Sequence, residues 1–146
     1  MSGPYVEEQG RLSVRDERGR ELFETAPQDT VSGFELSPDG RWVAIVLGNS
    51  AKTLEIVSTL DGTRIPIGAG RWPGWSGNSK RLVFLRDKPE IHFAEIVVYD
   101  LSKSELRSVT GLNEFWPDEP SLNFDGTRAA FVHDGALYET PTGLAP

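Results

Sequence analysis

Ser37-Pro38-Asp39-Gly40, followed by Arg41-Trp42-Val43-Ala44-Ile45-Val46, is the stretch whose reading decides the fold. Pro38 presets φ for the first corner of a tight turn, and Asp39-Gly40 supplies the second corner and a left-handed exit. The turn feeds Trp42 to Leu47, a mostly apolar run of the kind buried on both faces of a sheet. Ser32 to Leu36 reads as the strand entering the turn. Thr53 to Ser58 follows as the next strand, and Asp61-Gly62 turns into Thr63 to Ile67.

The same order recurs downstream. Arg71 to Trp75 is a strand interrupted by Pro73, Ser76-Gly77-Asn78-Ser79 stands in the turn, and Arg81 to Arg86 is the apolar strand. Asp87 to Phe93 reads as a loop, Glu95 to Asp100 as a strand, Ser102-Lys103 as a turn and Glu105 to Val109 as a fourth strand. A third round begins at Pro120-Ser121-Leu122, turns at Asn123-Phe124-Asp125-Gly126, runs through Arg128 to Val132, turns at Asp134-Gly135 and continues with Ala136 to Glu139. Ahead of the first round, Gly10 to Arg15 and Arg20 to Glu24 read as two strands, with Pro4 to Glu7 as one more. Helix signals are weak throughout. Turns spaced by roughly 40 residues with about four strands per period are the signature of β-propeller blades. An all-β sandwich with chance Asp-Gly hairpins is the alternative, but it gives no reason for a turn and an apolar strand to repeat in one order.

Bulk properties narrow the function classes. The chain has 146 residues, a net charge of −7 and no Cys. That length suffices for one domain with a real core. An acidic chain without a long basic run is unsuited to a phosphate backbone or an anionic membrane surface, so neither nucleic acid nor membrane is expected as partner. Without Cys there is no disulfide framework and no thiolate chemistry. Met1-Ser2-Gly3-Pro4-Tyr5 is not a signal peptide, and no window approaches the roughly 18 apolar residues of a membrane span. The expectation is a cytoplasmic protein, or a periplasmic one if a leader has been removed.

Leu36-Ser37-Pro38-Asp39-Gly40-Arg41-Trp42-Val43-Ala44 resembles the hallmark of TolB-type, WD-repeat-like β-propellers: Ser-Pro-Asp-Gly-Lys/Arg, two residues, then a small apolar residue and usually Phe. The round at Ser76 keeps Ser, Lys80, Val83 and Phe84; the round at Asn123 keeps Asp125-Gly126, Ala130 and Phe131. Leu54 to Gly62 and Ile96 to Ser102 resemble the third strand of such blades and its turn. The resemblance covers nearly the whole chain and speaks to fold, not function. It implies that Ser32 to Leu36, Arg71 to Trp75 and Glu119 to Leu122 line a central channel. The Asp-Gly turns would then lie on one face of the disc.

The implied division is a partial blade at 1–30, blades at 31–69 and 71–110, and a partial blade at 111–146. Propellers usually have about four to eight blades, so this chain does not make a six- or seven-bladed ring alone. The preferred expectation is a homodimer about a two-fold axis, sharing seam blades to reach about six. A fragment of a longer propeller, one half of a two-protein assembly and a thin four-bladed monomer are the alternatives.

Catalytic residues are not indicated. His92 and His133 have no metal-ligand spacing, and no nucleophile elbow or phosphate-cradling loop is present. No cofactor is implied. Trp72, Trp75 and Trp116, with Phe115, sit at or beside the first strands, where packing competes with a contact role. The candidate binding residues are Arg71, Trp72, Trp116, Asp118 and Glu119, at the channel mouth, with a rigid ring suited to a peptide or glycan. Asp29, Asp118 and Glu119 are carboxylates without known mutual geometry, and Asp39, Asp61 and Asp125 are turn formers. The favoured function is a non-enzymatic binding or scaffold propeller engaging a protein or peptide. The alternatives are a hydrolase whose site assembles at the dimer axis and an accessory domain of a larger peptidase.

Overall fold

Alternation of short apolar runs with turn residues produces fourteen strands and no helix among the described residues. The computed structural model describes residues 5–8, 11–16, 18–25, 30–49, 51–88, 93–109 and 117–146. The chain forms two compact units, Met1–Ala69 and Gly70–Pro146.

In the first unit, β1 (Tyr5–Glu8), β2 (Arg11–Arg15) and β3 (Glu21–Glu24) form a three-stranded sheet in chain order. The strands β4 (Val31–Leu36), β5 (Trp42–Leu47), β6 (Thr53–Ser58) and β7 (Arg64–Ala69) form a four-stranded sheet, also in chain order. Every pairing is antiparallel. Val14 of β2 packs on Val43, Ile45 and Val57, and Phe23, Phe34 and Leu36 border that cluster. Ala44 and Val46, on the opposite face of β5, are buried as well. A continuous apolar run is what a strand covered on both faces requires. Each fully buried Val or Ile here contributes about 1.5–3 kcal/mol.

In the second unit, β8 (Arg71–Trp75), β9 (Arg81–Lys88), β10 (Phe93–Asp100) and β11 (Glu105–Ser108) form a four-stranded antiparallel sheet. The strands β12 (Asp118–Leu122), β13 (Arg128–His133) and β14 (Ala136–Pro141) form a three-stranded one. Val83, Leu85, Ile96, Val98 and Val109 meet Phe131 across the gap, with Leu122 and Leu144 at the margin. The segment expected as a loop from Asp87 to Phe93 is shorter than the sequence suggests. The ladder continues through Ala94–Asp87 and Phe93–Lys88. Lys88 Nζ lies 3.2 Å from Glu95 Oε1, so charged residues extend the hairpin without needing burial.

The three recurring turns share one hydrogen-bond scheme despite different residues. The Ser37 hydroxyl donates to Asp39 Oδ1 (2.7 Å) and accepts the Trp42 N–H (3.0 Å), while Asp39 Oδ1 accepts the Arg41 N–H (3.0 Å). Ser76 and Asn78 repeat this with Lys80 and Arg81 at 2.7–3.1 Å. At the third turn, Asn123 Oδ1 accepts the Arg128 N–H (3.0 Å) and Asp125 Oδ1 the Thr127 N–H (3.1 Å). The fourth turn position is left-handed in each: Gly40 (φ +75°), Ser79 (φ +63°) and Gly126 (φ +78°). Asp39 and Asp125 are thus turn formers, and Asp61 is too, accepting the Thr63 N–H at 2.9 Å.

Candidate functional site

The first strands of the two sheets in the second unit, β8 and β12, share a bulge. Arg71 pairs with Leu85 and the next pair is Gly74–Val83, so Trp72 and Pro73 together oppose Phe84. Asp118 pairs with Val132 and the next pair is Ser121–Ala130, so Glu119 and Pro120 together oppose Phe131. In both bulges the first extra residue is left-handed, Trp72 at φ +61° and Glu119 at φ +50°. The second is proline, which has no N–H to give to the ladder, so the bulge sacrifices no bond there. The two strands run close together: a Cβ on Gly74 would lie 3.4 Å from the Pro120 carbonyl oxygen.

The bulge turns Trp72 outward. It is 41% exposed, against half-buried Trp75 three residues on. Holding a non-glycine residue in this conformation costs about 1–2 kcal/mol, a strain that clusters at functional positions. Arg71 is tied to β9: its Nη2 donates to Asp87 Oδ1 at 3.0 Å and its Nε lies 3.4 Å from both Asp87 carboxylate oxygens. Its guanidinium carbon is 5.9 Å from the Trp72 ring centroid, which steadies the indole by a cation–π contact. Glu119 is exposed and Asp118 half-buried, and neither has a side-chain partner among the described residues. Four of the five residues expected at the site are therefore placed on two adjacent strands, with Trp72 and Glu119 at equivalent positions. Trp116 lies outside the described residues, as do Phe115, His92 and Asp29.

Other polar groups serve the fold. Arg81 and Asp100 form a buried ion pair (Nε–Oδ2 3.0 Å), their side chains 8% and 5% exposed. Arg81 Nη1 also donates to the Asp125 carbonyl at 2.9 Å, joining the two sheets of the unit. Burial pushes the Asp100 carboxyl up, but hydrogen bonds from Ser102, Arg81 and Lys103 outweigh it and hold the group below its ordinary value. His133 Nε2 lies 3.4 Å from Asp134 Oδ2, beside Tyr138. Among the described residues, no group of three or more His, Cys, Asp or Glu is arranged to hold a metal ion.

The sequence reading missed the paired bulge and the buried Arg81–Asp100 bridge. The bulge had a signal: Pro73 and Pro120 each stand three residues before a turn. The bridge had none, since the equivalent pairs are Trp42–Ser58 and Arg128–Pro141 and no Arg–Asp pair repeats.

Repeated four-stranded antiparallel sheets in chain order, each opened by the same turn, define a β-propeller architecture. Neither a family model nor a curated protein matches the chain. Solved structures do. A TolB from Agrobacterium tumefaciens matches with a TM-score of 0.67 and 17% identity, over 94% of this chain and 53% of its own length. TolB from Acinetobacter baumannii matches at 0.64 and 20% identity, over 91% of this chain and 35% of its own. The β-propeller domain of the Trilobed protease from Pyrococcus furiosus, described as having an open velcro topology, matches at 0.61 and 23% identity, over 74% and 35%. The fold is thus that of TolB-like β-propellers. The chain carries part of one, spanning about half the length of the first of these structures and about a third of the other two.

Proposed function

We propose that this chain is a non-enzymatic binding or scaffold propeller that engages a protein or peptide through Arg71, Trp72, Trp116, Asp118 and Glu119. The observation that carries this reading is Trp72, a large rigid ring held outward at φ +61° and 41% exposed. A strained, exposed aromatic next to an arginine suits an interface anchor better than a core position. The structural neighbours include the β-propeller domain of a protease. The test is capture of displayed random peptides by the immobilised chain. Trp72→Ala should abolish capture of the selected peptides while retaining a cooperative unfolding transition. Undiminished capture by that variant, or no peptide selected by the intact chain, refutes the reading.

A homodimer rests on a separate observation. The outer edge of β10 is covered by β11, but β14 has no strand on its outer edge among the described residues. On that strand Leu137 is 76% exposed. An uncovered, partly apolar edge favours pairing with another chain. A shared seam blade would draw its strands from β12–β14 of one chain and β1–β3 of the other. Sedimentation equilibrium should give twice the chain mass, reduced to one chain by Leu137→Lys. A monomer at all concentrations refutes it.

A further inference from the structure

We propose that Asp134 is a site of spontaneous isoaspartate formation, set apart from the other Asp-Gly pairs of the chain by its tertiary environment. Asp-Gly occurs at 39–40, 61–62, 125–126 and 134–135. The reaction is the same at each. The glycine backbone nitrogen attacks the aspartyl Cγ, a C–N bond forms, and the carboxyl C–OH bond breaks. The hydroxyl leaves as water with the amide proton, giving a succinimide. Water then opens either carbonyl of the ring, returning aspartate or leaving isoaspartate. No oxidant or cofactor is required.

The fold ties down both reacting groups at three of the four pairs. Asp39 Oδ1 is held by the Ser37 hydroxyl and the Arg41 N–H, and the Gly40 N–H donates to the Ser37 carbonyl at 2.9 Å. Asp61 Oδ1 accepts the Thr63 N–H, and the Gly62 N–H donates to the Ser58 carbonyl at 3.0 Å. Asp125 Oδ1 accepts the Thr127 N–H and hydroxyl, and the Gly126 N–H donates to the Asn123 carbonyl at 3.2 Å.

Asp134-Gly135 differs in the partners of both reacting groups. It forms the two-residue tip of the β13–β14 hairpin between the paired residues His133 and Ala136. Both φ values are positive, +50° and +75°, the pattern of a type I′ turn. Its carboxylate is 89% exposed, and among the described residues its partner is His133 Nε2, at 3.4 Å. The Gly135 N–H has no hydrogen-bond partner among the described residues, and nothing lies within 4 Å of the position a Cβ would take. Each hydrogen bond that must open first slows attack by about fivefold. Two such bonds put the other three pairs more than about tenfold behind Asp134.

Isoaspartate inserts Cβ into the main chain. A two-residue hairpin cannot absorb that atom and keep the His133–Ala136 register. The product therefore loosens β14.

The folded full chain is aged at neutral pH and 37 °C and mapped by peptide mass spectrometry with fragmentation that distinguishes isoaspartate. A parallel sample is aged in denaturant. Isoaspartate should accumulate at Asp134 at least about tenfold faster than at Asp39, Asp61 or Asp125 in the folded chain, and at similar rates at all four in the denatured one. Hydrogen exchange of β14 should quicken in the modified fraction. The proposal is overturned if any other pair keeps pace with Asp134 in the folded chain. It is equally overturned if Asp134 stays unmodified there while the denatured chain reacts.

Discussion

The left-handed bulges predict an inversion of the usual preference for alanine over glycine in a strand. At an ordinary strand position, glycine is less stable than alanine by about 0.5–1 kcal/mol, because it loses more backbone freedom on folding. At Trp72 (φ +61°) and Glu119 (φ +50°) any residue with a Cβ carries about 1–2 kcal/mol of strain that glycine does not. The difference leaves glycine ahead of alanine by about 0.5–1 kcal/mol at both positions. Comparing two substitutions at one site cancels the loss of the original side chain, which matters for the partly buried indole of Trp72. Ser121 is the control, exposed on the same strand as Glu119 and without positive φ. Urea unfolding measures the shift in midpoint at constant slope. Trp72→Gly should unfold at higher urea than Trp72→Ala, and Glu119→Gly at higher urea than Glu119→Ala. Ser121→Gly should unfold at lower urea than Ser121→Ala. If glycine trails alanine at 72 and 119 as it does at 121, the bulge is not strained and the outward turn of Trp72 has another cause.

Further outcomes follow from the second unit. Arg81→Met leaves Asp100 buried without its cation and the Asp125 carbonyl without a donor, and should cost about 3–5 kcal/mol in urea unfolding. Because the folded-state carboxyl of Asp100 is depressed, its contribution is present above the ordinary value of 3.8 and is lost as pH falls through the lower folded value. Asp100→Asn should therefore flatten the fall in stability below about pH 4; an unchanged acid profile would sink this. Gly126→Ala and Gly40→Ala share a positive φ, but a Cβ on Gly126 would meet Arg81 Cδ at 2.6 Å, while Gly40 has open space. The first should cost at least about 1 kcal/mol more than the second by thermal denaturation, and equal losses would refute the clash.

Local chemistry made most of the architecture legible. The strands β5, β6 and β8 lie where the apolar runs and turn residues place them, and the third turn works with Asn123 in place of serine because its side chain offers the same acceptor. The site was legible in part. Arg71, Trp72, Asp118 and Glu119 were singled out because the resemblance puts them at or beside first strands at a channel mouth, but the sequence does not say which of Trp72 and Trp75 faces outward. Register decides that, since one extra residue opposite Phe84 reverses the direction of everything before it.

By itself, then, the sequence determined the repeat, the turn scheme and the all-β class, because each depends on residues a few positions apart. Only the tertiary structure decided that Arg71 is paired by Asp87 and that Arg81 reaches both Asp100 and the Asp125 carbonyl. These depend on strands brought together from distant parts of the chain, where pairing register and burial, not neighbouring residue types, fix which groups meet.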